Sequence, residues 1–376
     1  MKVLHVITGL AAGGAERQLR DLVAHHRMES EVAVLSNPGV MAGAIRADGI
    51  PVHHLGMRGN RDLGVLRPLT RLMREGRFDV VHTHLFRAGL YGRLAARLAG
   101  VGTIVATEHS IGVHRFEGRR VTWAVRRLAR GCERLGHATI AVSATAADLL
   151  HRWGIPRERI EVIPNGLVGQ AFAFDSILRE ATRARLGIRP GAVVVGGMGR
   201  LEAGKRFDIL IRAMVQVPQA VLMLVGEGPD KLELLKLVHS LGLGHRTVFT
   251  GEAADVPALL SAMDVFVAPS REETFGLAVI EALASGLPVL YGACPALEEL
   301  PRQAAPAARP IVDDPWHLGQ AINVLVAAGP SRYPPPAAVR HYDIHHHVDR
   351  VETLYTRIRE RDDRPRFARL VSGERR

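Results

Sequence analysis

Two glutamates, Glu273 and Glu281, stand eight residues apart in the stretch PSREETFGLAVIEALASGLP that runs from Pro269 to Pro288. A Phe-Gly-Leu turn, residues 275–277, lies between them. Upstream, Val265-Phe266-Val267-Ala268 reads as a buried strand; downstream, Leu277, Ile280, Leu283 and Ala284 have the apolar spacing of a short helix closed by Gly286 and Pro288. Strand, loop and helix in that order put Glu273 at the mouth of a sheet and aim the free amides of Phe275, Gly276 and Leu277 out of a helix start. Glu281 then follows about two turns further on. Such amides hold an anion and carboxylates take sugar hydroxyls, so the arrangement suits a ligand with both phosphate and hydroxyls, as a nucleotide-sugar has. A capping glutamate beside a solvated one would give the same spacing with no ligand at all.

Gly199-Arg200-Leu201 and Lys205 form a second charged group, after the first strand of what reads as a second sheet. Two cations five residues apart on a strand-to-helix loop can straddle a diphosphate and neutralise the charge that grows on it as a sugar leaves; a solvated loop is the plainer alternative. Near the N-terminus, TGLAAGGAE carries Gly13 and Gly14 at the start of the first helix, with Glu16 just inside it. The glycine spacing is not G-x-G-x-x-G, and the second strand ends in Leu35-Ser36 without an acid for a ribose, which disfavours a nicotinamide dinucleotide. A tight turn alone would also account for these glycines.

His109, in VATEHS, follows a strand and so projects from a sheet end, while His82 and His84 close the strand DVVHTH. Structural or solvated roles stay open for all three. His345, His346 and His347 are consecutive, so their side chains diverge by about 100° and cannot chelate one ion from one helix face. No D-x-D triplet occurs, and the reading is a metal-free site in which Arg200, Lys205 and helix amides do the work of a cation.

Alternating strands and helices must position these groups. Strands are expected at residues 3–7, 31–35, 79–81, 103–106, 139–142 and 160–163, and again at 192–195, 221–225, 247–249, 265–267 and 289–290, with helical patterns between them. Such alternation implies parallel, doubly wound sheets that bind ligands at the carboxyl ends of their strands. A chain of 376 residues suffices for two such domains, and Pro164-Asn165-Gly166-Leu167 with the irregular piece to Asp175 reads as their connection. The expected division is residues 1–167, residues 168–340, a terminal helix at 341–361 and a charged, disordered tail at 362–376.

Composition narrows the function classes. There is no signal-peptide pattern and no run near the roughly 20 apolar residues of a membrane span. The two cysteines, Cys132 and Cys294, have no C-x-x-C partner, which suits a reducing cytoplasm. A net charge of +11 favours anionic ligands or surfaces, while 5% aromatic residues and the lack of a zinc-finger or RNA-binding motif disfavour nucleic acid. A helix expected over residues 114–135 sets Arg119, Trp123, Arg126, Arg127, Arg130 and Arg134 opposite Val121, Val125, Leu128, Cys132 and Leu135. That basic face is either simply solvated or a contact for an anionic acceptor or membrane.

The stretch 269–288 resembles the donor-site signature P-S-x-x-E-x-F-G-x-x-x-x-E-A-x-A-x-G-x-P-V of the retaining GT-B glycosyltransferases of family 4. GRLEAGKRFDILIRA, residues 199–213, is similar to that family's G-R-L-x-x-x-K-x-x-D-x-L-I-x-A block. The resemblance implies an α/β GT-B fold, with two doubly wound Rossmann-like domains facing across a cleft and a C-terminal helix crossing back to the first. It implies catalytic roles for Arg200, Lys205, Glu273 and His109, and donor binding by Gly13, Gly14, Gly199, Phe275, Gly276, Leu277 and Glu281. Glu273 would contact the transferred sugar, Glu281 the ribose, and Arg200 with Lys205 the pyrophosphate; Glu16, His82 and His84 would lie on the acceptor side. One departure stands out: where the family has G-G-x-x-E after the last donor-site strand, this chain reads Gly292-Ala293-Cys294-Pro295-Ala296-Leu297-Glu298-Glu299, which puts sugar recognition by that loop in doubt.

The implied activity is transfer of a hexosyl or N-acetylhexosaminyl unit, with retention, from a nucleoside-diphosphate sugar to an acceptor hydroxyl. A UDP-sugar is favoured, with no cofactor and no metal. No carboxylate can be assigned as a covalent nucleophile, so front-face attack with the leaving phosphate taking the proton is the expected mechanism. The acceptor is a glycan, a lipid-linked sugar or a small metabolite such as an aminoglycoside precursor, in polysaccharide, glycolipid or antibiotic biosynthesis. A cytoplasmic enzyme, peripheral at the inner membrane face through a weak anionic contact, is expected. A sugar-nucleotide epimerase of the same fold and a non-catalytic nucleotide-sugar-binding protein are the alternatives.

Overall fold

The computed structural model describes residues 1–59, 61–112, 115–116, 119–120, 122–252 and 255–363. The chain divides into two compact units: Met1–Ala11, Ala15–Gly166 and the chain from Ile344 onward make the first, and Ala12–Gly14 with Leu167–Asp343 the second.

In the first unit the strands are β1 (Lys2–Ile7), β2 (Glu29–Val34), β3 (Val52–His54), β4 (Val80–His84) and β5 (Thr103–Glu108). A short antiparallel pair, β6 (Arg115–Phe116) and β7 (Arg119–Arg120), precedes β8 (Ala138–Ala141) and β9 (Ile160–Val162). Seven of them form one parallel sheet in the order β3-β2-β1-β4-β5-β8-β9. Its central strands are buried along most of their length, as a sheet covered on both faces requires. Helices Leu66–Gly76 and Phe86–Ala99 seal one core with Leu69, Met73, Tyr91 and Ala95. The helix Ile344–Asp363 returns to this unit and buries Val348, Val351, Leu354 and Tyr355. Glu352 on it accepts from the Arg27 backbone N–H at 2.8 Å and from its guanidinium at 2.7 Å. Rim pairs such as Arg357–Glu161 and Arg359–Asp79 add little beside that apolar burial.

The second unit holds β10 (Val193–Met198), β11 (Ala220–Val225), β12 (Thr247–Phe249), β13 (Val265–Ala268), β14 (Val289–Tyr291) and β15 (Ala308–Pro310), a parallel sheet in the order β12-β11-β10-β13-β14-β15. In each sheet the winding reverses once, between β1 and β4 and between β10 and β13, and ligands of open α/β sheets bind beyond the carboxyl ends at such reversals. Asp264 fixes the second reversal. Its carboxylate accepts from Val194 N–H on β10 at 2.8 Å while Arg179 and Arg183 hold it at 2.6 and 2.7 Å.

The structure departs from expectation in three places. Strands β3 and β15 have three residues each and sit at sheet edges, too short to show an alternation of their own. The helix expected from residue 114 starts only at Trp123, because Thr122 is extended and its hydroxyl caps Val125 N–H at 3.3 Å. On that helix Leu128 is 45% exposed, so the apolar stripe does not face the core along its whole length. The side chains of Arg119 and Val121, and the tail beyond residue 363, lie outside the described residues. No described helix is long and apolar enough to cross a membrane.

Candidate active site

The carboxyl ends of β10 and β13 assemble a charged site in the second unit. Past β10, Gly199 has φ 151° and carries the Lys205 stem over it: a Cβ there would lie 3.4 Å from Lys205 Cε. Lys205 ends a short turn, Ala203–Lys205, and Arg206 then adopts φ 55°, a left-handed conformation uncommon outside glycine. That reversal sends neighbouring side chains opposite ways. Arg206 reaches Asp313 at 3.0 Å, which also pairs with Arg271, while Lys205 Nζ donates to Glu273 Oε1 at 2.5 Å. Arg200 lies 3.7 Å from Glu202 with its side chain 60% exposed, so it belongs to the same loop without joining the Lys205–Glu273 pair.

Beyond Glu273 the chain turns into the helix Leu277–Ala284, with Gly276 at its N-cap in a left-handed conformation, φ 101°. A Cβ on Gly276 would meet Cys294 Sγ at 2.5 Å, so both backbone angle and space require glycine. A helix start of this kind can hold an anion on its first N–H groups, although Val279 N–H already donates to Gly276 C=O at 3.0 Å. Glu281 sits on its second turn, 2% exposed. Gly14 groups with this unit, and a Cβ on it would lie 3.4 Å from Leu277 Cδ1. Gly13 is the other glycine of that short segment, and Glu16 lies half-buried in the first turn of helix Gly14–His25.

The departing loop after β14 closes on this helix. Phe275 packs edge-on against Tyr342 at 5.0 Å, and Phe275 C=O accepts from Ala296 N–H at 3.0 Å. Cys294 is buried, its thiol pushed up by desolvation, and lies 3.6 Å from Phe275 C=O. Glu298 Oε1 accepts from Cys294 N–H at 2.8 Å within its own turn. Sequence reasoning missed a further feature, Gly226-Glu227-Gly228 after β11. A Cβ at Gly226 would come within 2.1 Å of Gly199 C=O and one at Gly228 within 2.3 Å of Leu201 C=O, so these glycines let the β11 loop press on the Gly199–Leu201 loop.

The first unit carries a different cluster. His5 on β1, His82 and His84 on β4 and His109 just past β5 lie on adjacent strands, with His5 paired to His82 and His84 to Thr107. His82 Nδ1 meets Tyr355 Oη at 2.5 Å and His82 Nε2 meets Thr107 Oγ1 at 2.7 Å. Desolvation holds His5, His82 and His84 well below the ordinary histidine value and His109 at about 3, so all four are neutral. His5, His82 and His84 also offer nitrogens within 4.8 Å of one another, a spacing that a metal ion could use, although the hydrogen bonds of His82 already engage both its nitrogens. His347 Nδ1 donates to Pro164 C=O at 2.6 Å while His345 packs on His25 at 5.4 Å, so these two of the three consecutive histidines diverge. The sequence had shown His5 only as a strand residue.

Comparison with known proteins gives this geometry a family. Residues 12–168 match the family described as Glycosyltransferase Family 4, and residues 179–314 match Glycosyl transferases group 1. The chain is 30% identical over 310 residues to D-inositol 3-phosphate glycosyltransferase 1 of Catenulispora acidiphila, covering 74% of this chain and 73% of that one. It is 28% identical over 256 residues, 66% of each chain, to the UDP-Gal:alpha-D-GlcNAc-diphosphoundecaprenol alpha-1,3-galactosyltransferase of Escherichia coli. The crystal structure of Anabaena HepE in complex with UDP-glucose superposes with a TM-score of 0.82 at 25% identity, over 95% of this chain and all of that one.

Proposed function

The chain belongs to glycosyltransferase family 4 and is a glycosyltransferase of the GT-B fold, and from that premise we propose that it transfers a hexosyl or N-acetylhexosaminyl unit from a UDP-sugar to an acceptor hydroxyl, with retention. The observation that carries this reading is the Lys205–Glu273 pair at 2.5 Å beside the N-terminus of helix Leu277–Ala284. Lys205, with Arg200 on the same loop, supplies positive charge to a departing diphosphate. Glu273 faces the sugar, and the helix amides with Gly13 and Gly14 take the phosphate oxygens. Glu281, buried on the second turn, takes the ribose hydroxyls. His109 belongs to the reacting centre, and Glu16, His82 and His84 to the acceptor-side unit. The leaving phosphate accepts the acceptor's proton, so no protein carboxylate has to act as nucleophile.

A UDP donor is supported by the related proteins, one of which is named for UDP-galactose and another solved with UDP-glucose. The Catenulispora acidiphila and Escherichia coli enzymes act on phosphate-bearing acceptors by name, an inositol 3-phosphate and a diphosphoundecaprenol sugar, and this chain's net charge of +11 suits an anionic acceptor of either kind. A small aminocyclitol in antibiotic biosynthesis remains the soluble alternative. The deciding experiment incubates the enzyme with UDP-glucose, UDP-galactose or UDP-N-acetylglucosamine and candidate acceptors, and follows the products by mass spectrometry, with EDTA present. Gain of one glycosyl unit by an acceptor supports the reading. Interconversion of nucleotide-sugars without an acceptor identifies an epimerase instead.

A further inference from the structure

The register of the first sheet lays a path of imidazoles diagonally across it. His5 on β1 pairs with His82 on β4; two residues on, His84 pairs with Thr107 on β5; two residues beyond that stands His109. Steps of one strand and two residues keep His5, His84 and His109 on one face. His5 Nδ1 lies 3.1 Å from His84 Nε2, and His84 Nδ1 lies 3.1 Å from His109 Nε2. Both pairs of ring centres are 5.4 Å apart, with planes only 29° and 23° from parallel. Contacts of that length between rings so spaced leave each nitrogen close to the line joining the ring centres, the geometry of an in-line N–H···N bond.

We propose that His109, His84 and His5 form one imidazole wire whose shared tautomer makes His109 a hydrogen-bond donor from Nδ1, with His84 and His5 as positioning residues. The proposal rests on the reading above, in which His109 has a catalytic role. A neutral ring in the middle of such a chain must accept at one nitrogen and donate at the other. Three hydrogens can then be arranged in only two ways, all on Nδ1 or all on Nε2. The first leaves His5 Nε2 bare and puts a hydrogen on His109 Nδ1; the second does the reverse. Both terminal nitrogens are buried and without a hydrogen-bond partner among the described residues. A buried N–H with no acceptor is the costlier orphan, so it belongs at the end that a ligand can reach. His5 is fully buried in the centre of the sheet, whereas His109 is half-buried beyond the end of β5, next to exposed Ser110. The all-Nδ1 arrangement follows, with His109 N–H offered to a ligand oxygen.

The same arrangement bars His109 Nδ1 from acting as a base. Reversing it requires a proton to leave His109 Nδ1, one to cross from His84 to His109, one from His5 to His84, and a fourth to arrive at His5 Nε2, where no described residue is hydrogen-bonded to deliver it. His82 stays outside the wire because Tyr355 and Thr107 engage its two nitrogens.

The test is 15N NMR of the full-length protein labelled at histidine. His5, His84 and His109 are each expected to carry hydrogen on Nδ1 and a bare Nε2, and to stay neutral where exposed histidines titrate. His5→Phe removes the donor to His84 Nε2, so His84 and His109 should move towards Nε2–H, turnover should fall about tenfold, and affinity for UDP should hold. His5→Asn, whose amide can donate from the same place, should restore both the tautomers and turnover. If His5→Phe does not fold, the spectrum of the native chain still decides. Hydrogen on Nε2 of any of the three rings, a doubly protonated His84, stoichiometric zinc on these nitrogens, or an unchanged His109 tautomer in His5→Phe would overturn the proposal. The spectrum is read without substrate, so failure of UDP-sugar transfer would defeat the functional reading and leave the wire standing.

Discussion

The two sheets place chemistry at their carboxyl ends in opposite ways. In the second unit the groups are charged and half-open: Lys205 and Glu273 keep 26% and 17% of their side-chain surface and pair directly. In the first unit they are neutral and sealed, with His5, His82 and His84 essentially without exposure. Charge kept where water still solvates it can exchange one partner for a charged ligand without first stripping a buried ion, as the proposed diphosphate role of this pair requires. Hydrogen bonds that must be aimed are kept among buried neutral rings, where packing holds them and protonation is suppressed.

The largest expected effect tests the charged side. Lys205→Ala should lower turnover a hundredfold or more, about 3 kcal/mol of transition-state stabilisation, and Arg200→Ala should act in the same direction. Steady-state rates with UDP-sugar read this, and full activity in either variant would remove the residue from the diphosphate site.

Acid should strike the two units unequally. His26 and His347, both in the first unit, are held down to about 4 by desolvation, with an ordinary value of 6.5. Below 6.5 the unfolded chain binds protons that the folded chain refuses, so the stability contributed by these neutral rings is complete above about 6.5 and is lost progressively as pH falls towards 4. Hydrogen exchange at pH 5 should therefore show protection falling first in the first unit. Equal loss in both units would contradict this contrast.

A smaller effect separates the two glutamates. Glu281→Ala should weaken UDP binding by about tenfold with a modest change in turnover, whereas Glu273→Ala should mainly lower turnover. Calorimetric titration with UDP distinguishes them, and equal loss of affinity would merge their roles. The smallest effect concerns the basic helix Trp123–Glu133. Trp123 is 74% exposed with Arg127 stacked 5.9 Å over it, whereas Arg130 is spent on Trp153 C=O at 3.1 Å. Binding to anionic vesicles at low salt, up to about 1 kcal/mol per basic residue, should fade with salt and weaken in Arg127→Glu with Trp123→Ser. Indifference to lipid charge would leave this helix as a solvated face.

Much of the second unit could be read from the chain itself. Glu273 and Glu281, the turn between them, and Gly199 to Lys205 are local runs on single strand-loop-helix segments, so spacing alone states which residues share a loop. The alternation of apolar runs likewise announced parallel sheets, because strands buried on both faces must be apolar nearly throughout. The family and fold followed from those same runs.

What the sequence did not carry was anything that depends on pairing between distant strands. Arg200 and Lys205 look equivalent in a string, yet Lys205 pairs with Glu273 while Arg200 lies 3.7 Å from Glu202. His5 looked like any strand residue, since nothing local marks it. Only the register of β1 against β4 and of β4 against β5 aligns His5, His84 and His109, three positions spread over more than a hundred residues, on one face of one sheet. Local composition and periodicity decide which elements form, because they act within a few residues; which side chains meet across elements is decided by strand order and register, and those are set only when the whole sheet closes its core.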